Sequence, residues 1–271
     1  MFTAAQNFVD LLRVNRTYFK RTVAMSRVML EKRYSGSLLG FGWALVKPTL
    51  FIIVYWFAVA IGIRGGRSMG DIPYILWLLP GIIPWFFLSD AFTTGGTAIR
   101  TNSHLVTKMV YPVATIPVSE VLSLFYVHVM MLGIMTAIFL FSGFGLTVYF
   151  VQIVYWVATC LFFAIVVATL LSALTAVSRD IGHMVKSTIQ ALFWLSPILW
   201  SADRLNGTLR LIIMANPIAY LVEGYRSCFV YETWFFTQWG YTLYFWVFMV
   251  VLTLFTSFLY ARLQKEFADV L

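Results

Sequence analysis

Charge is scarce in this 271-residue chain: Asp, Glu, Lys and Arg make up only 11% of it, against about 25% in soluble domains. With 61% of its residues hydrophobic, a water-soluble globule is excluded. Cysteine is nearly absent. Cys160 lies in an apolar run and Cys228 in a polar stretch, a pair that supports neither a disulfide framework nor a zinc site. No G-x-x-x-x-G-K-[ST] loop occurs, nor any Gly-Lys pair, so the chain offers ATP no Walker cradle. His104, His128 and His183 are scattered, and neither H-E-x-x-H nor G-x-S-x-G is found, which leaves metal-dependent or nucleophilic hydrolysis without its usual groups.

What the chain has is long apolar runs. A membrane-crossing helix needs about 20 mostly apolar residues, and six stretches qualify by the gaps in charge and the Pro/Gly punctuation around them: 44–63, 73–98, 117–141, 150–177, 184–200 and 239–260. The reading is an all-α membrane protein of six spans. Of the 19 Lys and Arg, 14 fall on the side holding both termini, and the positive-inside rule puts that side in the cytoplasm. The net charge of +8 then reports orientation, and no nucleic acid is expected as a partner.

Residues 1–43 lack a signal peptide's short apolar core and cleavage site, so they read as mature protein. At 100° per residue, Arg13, Arg16, Lys20 and Arg27 fall on one face, opposite Phe8, Leu11, Phe19, Met29 and Leu30, which predicts one amphipathic helix in the membrane surface. The stretch 201–238 mixes charges with apolar segments too short to cross, as expected of re-entrant outer half-helices. The stretch 99–117 is long enough for a short cytoplasmic helix. Inside the spans the only carboxylates and imidazole are those of Asp90, Glu120 and His128. That is too few for the midplane relay of an ion-driven carrier.

The run Arg33-Tyr34-Ser35-Gly36-Ser37-Leu38-Leu39-Gly40-Phe41-Gly42-Trp43, with Pro48 five further on, resembles the signature R-Y-x-x-S-x-L-G-x-x-W of the ABC-2 permeases that export cell-surface polysaccharides. Lys47 stands where that family usually places Asn. Val54-Tyr55-Trp56-Phe57, Ile61 to Gly66, Pro73 to Leu79, Gly81, Pro84 to Phe87 and Ser196 to Trp200 are similar to the subgroup that translocates wall teichoic acid. O-antigen and capsule exporters share related runs, including Asn216, Pro217, Glu223, Gly224, Tyr225 and Arg226.

The resemblance implies a permease in the cytoplasmic membrane of a bacterium, Gram-positive by subgroup, that holds no cofactor itself. Two copies would work with two copies of a separate cytoplasmic ATPase, which binds ATP and Mg, to move an undecaprenyl-linked polymer, wall teichoic acid by the subgroup, outward through membrane lipids. The domains are then a surface helix and signature at 1–43, a six-span domain at 44–260 and a tail at 261–271. A coupling helix near 100–112 would present Arg100, Asn102, His104, Lys108 and Tyr111 to the ATPase. A channel between protomers, from spans one and five, would be lined by Phe51, Tyr55, Gln190, Phe193 and Trp200, the helical spacing placing Phe51 beside Tyr55 and Gln190 beside Phe193. Arg33 and Tyr34 would meet the lipid pyrophosphate. Asn216, Pro217, Glu223, Tyr225 and Arg226 would form an outer gate, with Arg226 either paired to Glu223 or meeting polymer phosphates. Prolines 80, 84 and 197 should kink spans two and five. Two alternatives stay open, an O-antigen or capsule cargo and a membrane-embedded enzyme acting on polyprenyl-linked glycans.

Overall fold

The computed structural model describes residues 2–63, 68–107 and 111–267. It is helical throughout, as a chain buried in hydrocarbon requires, because a helix satisfies its own backbone hydrogen bonds where water is absent. Helices α1 (Phe2–Thr17) and α2 (Phe19–Tyr34) are followed by α3 (Trp43–Trp56), which a wider π-turn segment prolongs through Phe57–Ile63. Next come α4 (Tyr74–Thr93), the short helices α5 (Ala98–Thr101) and α6 (Ser103–Thr107), α7 (Thr115–Phe141) and α8 (Ile153–Val177). The chain continues through α9 (Arg179–Leu195), α10 (Gly207–Met214), α11 (Pro217–Phe229) and α12 (Trp239–Leu263).

Among the described residues, five helical stretches are long and apolar enough to cross a membrane: Gly40–Ile63, Tyr74–Thr101, Thr115–Phe141, Val148–Val177 and Phe235–Leu263. The second of them, built on α4, forms the hub. It is largely buried, with α7, α8, α9 and α11 packed around it, and Leu78, Ile82, Leu88 and Ala91 are sealed from solvent. Pro80 and Pro84 lie inside α4, where each leaves a carbonyl one turn earlier without its donor.

Two expectations need correction. The N-terminal region is two helices meeting at Tyr18, whose φ of −99° and ψ of 14° depart from helical values. Phe19, expected on one face with Met29, is 60% exposed, whereas Met29 of the same helix is buried. Neither helix merely floats on the surface: α1 packs along α12 and α2 along α7, where Ser26 Oγ lies 3.1 Å from the Tyr126 hydroxyl.

The second correction concerns the expected span at 184–200. Its helix α9 starts five residues earlier, at Arg179, and stops at Leu195, so Pro197 ends the segment instead of kinking it. Ser196 is extended, at φ −97° and ψ 146°, as a residue before proline prefers. At 17 residues, about 25 Å of helix, α9 falls short of the five. It nonetheless runs the length of α4 in the opposite direction. Gly182 lies against Thr97, Phe193 meets Trp85 at 5.5 Å, and the Tyr74 hydroxyl donates to the Leu199 carbonyl at 2.9 Å.

Candidate functional site

Three of the four aromatics singled out on the first and fifth predicted spans come together. Phe51 and Tyr55, one turn apart on α3, are stacked with centroids 6.1 Å apart, and Tyr55 meets Phe193 of α9 at 5.0 Å. Trp85 and Phe86 of α4 complete the group, at 5.5 Å from Phe193 and 6.3 Å from Phe51. The sequence did not single this pair out as members of the group, although they sit in the conspicuous run Pro84 to Phe87. Phe193 is buried, whereas Phe51 is 43% exposed. Trp200 is tied back to α9 by its indole N–H, which donates to the Trp194 carbonyl at 3.2 Å.

Beside this cluster α9 turns a polar stripe away from the bundle. Asp180, His183, Ser187 and Gln190 are all exposed, and their spacing of three or four residues puts them on one helical face with exposed Trp194. Hydrocarbon does not accept such a stripe cheaply, so a helix running beside α4 in this way calls for water or a protein partner along that face.

Nearer the termini, a cavity of about 400 Å³ opens between α2, α3, α4 and α7, with Arg33, Tyr34, Lys47 and Asp90 in its wall. A smaller cavity of about 40 Å³ shares Tyr34, Pro48 and Asp90 and reaches His128. One guanidinium nitrogen of Arg33 is paired with Glu120 of α7 and donates to the Ser123 hydroxyl at 3.0 Å. The other terminal nitrogen is buried with no partner. Arg33 therefore anchors α2 to α7 and retains one donor. Burial pushes the Tyr34 phenol up, and adjacent Arg33 opposes the shift.

Of the residues expected to form an outer gate, Tyr225 and Arg226 are buried and Asn216, Pro217 and Glu223 are half-buried. Arg226 of α11 is fully buried, its guanidinium 3.5 Å above the Trp77 ring. It donates at 2.6 Å to the Pro197 and Ile198 carbonyls and at 2.8 Å to Glu223 Oε1. Of the two roles expected for it, the structure shows the pairing to Glu223. A Cβ on Gly81 would collide with this guanidinium, which accounts for a glycine in the middle of α4. Asn216 caps α11 by accepting from the Ile218 N–H at 3.0 Å and donates to Ser196 Oγ at 2.8 Å. Pro217 opens that helix, where its missing N–H costs nothing. The buried Tyr225 hydroxyl pairs with His128 Nε2 at 2.8 Å.

The expected coupling segment is two short turns, α5 and α6, and Lys108 lies outside the described residues. Asn102 is buried, its side-chain amide donating to the Ala98 carbonyl at 2.9 Å. Arg100 is half-buried against the Thr175 carbonyl, Tyr111 is half-buried and non-helical, and His104 is exposed.

Comparison with known proteins gives a consistent answer. The model of a family described as ABC-2 type transporter matches residues 21–230. An O-antigen export system permease protein of Myxococcus xanthus is 27% identical over 80% of this chain and 83% of its own length. One from Klebsiella pneumoniae is 26% identical over 93% and 95%. The polysialic acid transport protein of Escherichia coli is 23% identical over 73% of this chain and 76% of its own.

Proposed function

The chain belongs to the ABC-2 type transporter family, and from that membership we propose that it exports a lipid-linked glycan across the cytoplasmic membrane of a bacterium. The observation that carries the proposal is the aromatic cluster of α3, α4 and α9 beside the exposed polar stripe of α9. A polymer bristling with hydroxyls needs a wetted, protein-lined path through hydrocarbon. Aromatic faces suit that task because they touch the C–H side of a sugar ring without fixing one hydrogen-bond pattern, so the polymer slides.

In this reading two copies of the chain meet along α3 and α9, which gives the polar stripe its partner. Phe51, Tyr55, Gln190, Phe193 and Trp200 then lie at or directly behind the wall of the path. The antiparallel course of α9 along α4 supports a sixth crossing, completed by the turn 196–200, and the charge bias supports cytoplasmic termini. The cavity at Arg33, Tyr34 and Lys47 receives the lipid pyrophosphate, to which the spare Arg33 donor offers a charge-assisted hydrogen bond. Energy comes from two copies of a separate ATPase holding ATP and Mg, docked against the segment 100–111, where exposed His104 is the foremost contact. The Arg226 lock holds α11 over the outer end of α4.

The cargo is read as an O-antigen-type glycan, in line with the names of the relatives and with an uncharged aromatic lining. Wall teichoic acid is the second reading, favoured by the runs 54–57, 61–66 and 73–79 noted above. Reconstitution in vesicles with the cognate ATPase tests both. Undecaprenyl-linked glycan should stimulate ATP hydrolysis and cross the bilayer. If only polyol-phosphate precursor does so, the second reading replaces the first, and turnover of either lipid by the purified chain alone, without ATP, would end the transport proposal.

A further inference from the structure

A third cavity, of about 270 Å³, lies at the end of the bundle opposite the termini, between α10, α11 and the first turns of α8 and α12. Its walls are strongly aromatic. Trp156 and Tyr220 meet at 4.8 Å between ring centroids, Tyr220 and Tyr241 stand edge to face at 5.0 Å, and Trp234 flanks them. The Trp156 ring rests directly on the α11 backbone at Gly224, where any Cβ would collide with it. The cavity therefore depends on that glycine, and its volume is near the lower limit of small-molecule clefts, roughly 300 Å³.

Two buried donors in this wall have no partner in the fold: the indole N–H of Trp156, a residue only 3% exposed, and the Tyr241 hydroxyl. Buried polar groups are nearly always paired, and two residues of one cavity wall each keep an unspent donor, closed off from the cavity's open space until a ring shifts. Glu223 and Gln238 add acceptors to the same wall. Charge narrows the class of ligand. The lining cation Arg210 is already paired with Asp203 at 3.2 Å, and Glu223 with Arg226, so no free cation among the described lining residues awaits a phosphate.

Ring faces, idle donors, nearby acceptors and no spare positive charge together describe a site for a polyhydroxylated neutral ring. We propose that this cavity binds one uncharged pyranose unit at the outer end of each protomer, apart from the path along α3 and α9. The assignment of that unit to the exported polymer rests on the glycan reading above. Held there, a sugar emerging from the path is retained on the outer side, which disfavours backsliding between strokes.

The test uses the full chain in detergent, with glucose, mannose and N-acetylglucosamine as probes in saturation-transfer NMR and glycerol 3-phosphate as the charged comparator. At least one sugar should bind at millimolar affinity, glycerol 3-phosphate more weakly, and Trp234→Ala should weaken the sugar tenfold or more. Tyr241→Phe removes only the idle hydroxyl, so the fold keeps its packing, and it should weaken the sugar about fivefold. No binding of any of the three sugars, equal binding of the phosphate, or unchanged binding in Tyr241→Phe overturns the site. Glycan export by the reconstituted complex is measured separately. Export with a silent cavity removes the site and leaves the export reading intact, whereas sugar binding without glycan export removes the link to cargo alone.

Discussion

Replacing Arg226 by Met keeps much of the side chain's volume and removes its fork. The Pro197 and Ile198 carbonyls then lose donors at 2.6 Å, Glu223 loses its ion pair, and the Trp77 face loses its cation. Because Arg226 is fully buried, water does not reach the carbonyls in its place. Breaking a buried pair from one side costs about 3–5 kcal/mol. At about 2–4 °C per kcal/mol for chains of roughly this size, the melting temperature of the detergent-solubilised protein should fall by about 6–20 °C. Arg226→Lys keeps the charge without the fork and should lie between. Combining Arg226→Met with Glu223→Gln removes the stranded charge, so the double variant should regain part of the loss. A single Arg226→Met variant that melts within about 2 °C of the parent, or a double variant no better than the single, refutes the lock.

Four further outcomes are expected. Gly224→Ala should drive Trp156 off the α11 backbone and lower the melting temperature by several degrees, since overpacking costs about 1–3 kcal/mol, with a change in tryptophan fluorescence as the second readout. Phe51→Ala and Gln190→Leu, both on exposed faces, should slow polymer passage in vesicles several-fold while melting temperature and dimer yield hold, and normal flux in both would place the path elsewhere. Arg33→Gln and Glu120→Gln should show a coupling of about 0.5–3 kcal/mol in a double-mutant cycle read by thermal melting, and additivity would deny the pairing between α2 and α7. His104→Glu should reduce glycan-stimulated ATP hydrolysis in the reconstituted complex without affecting membrane insertion, and unchanged stimulation would remove His104 from the ATPase contact.

How much of this was legible in the sequence depends on which physical signal carries each element. Runs such as 117–141 and 150–177 are set by composition and survive any error of a few residues, and α7 and α8 are found where they are expected. The start of α9 was missed because Arg179 and Asp180 read as loop residues, yet they form the helix's first turn with Asp180 near its N-terminus, where a negative charge is favourable. The break at Tyr18 carries no proline or glycine, and nothing local announces it. Helical spacing put Phe51 beside Tyr55, while their meeting with Phe193 needed α4 as a common support. The deep burial of Arg226 was hidden for a different reason. A charge between two apolar segments looks like surface, and only the fold supplies the carbonyls and the Trp77 face that make its burial tolerable.

The clasp between α1 and α12 has a consequence for biogenesis. Leu11 and Val14 pack against the cluster that holds Tyr260 and Phe267, so one segment finds its resting place only after another more than 200 residues later has been made. Until then the opening helix waits at the lipid surface with its apolar side unclaimed. A chain cut short before α12 would leave that side without the surface it packs on.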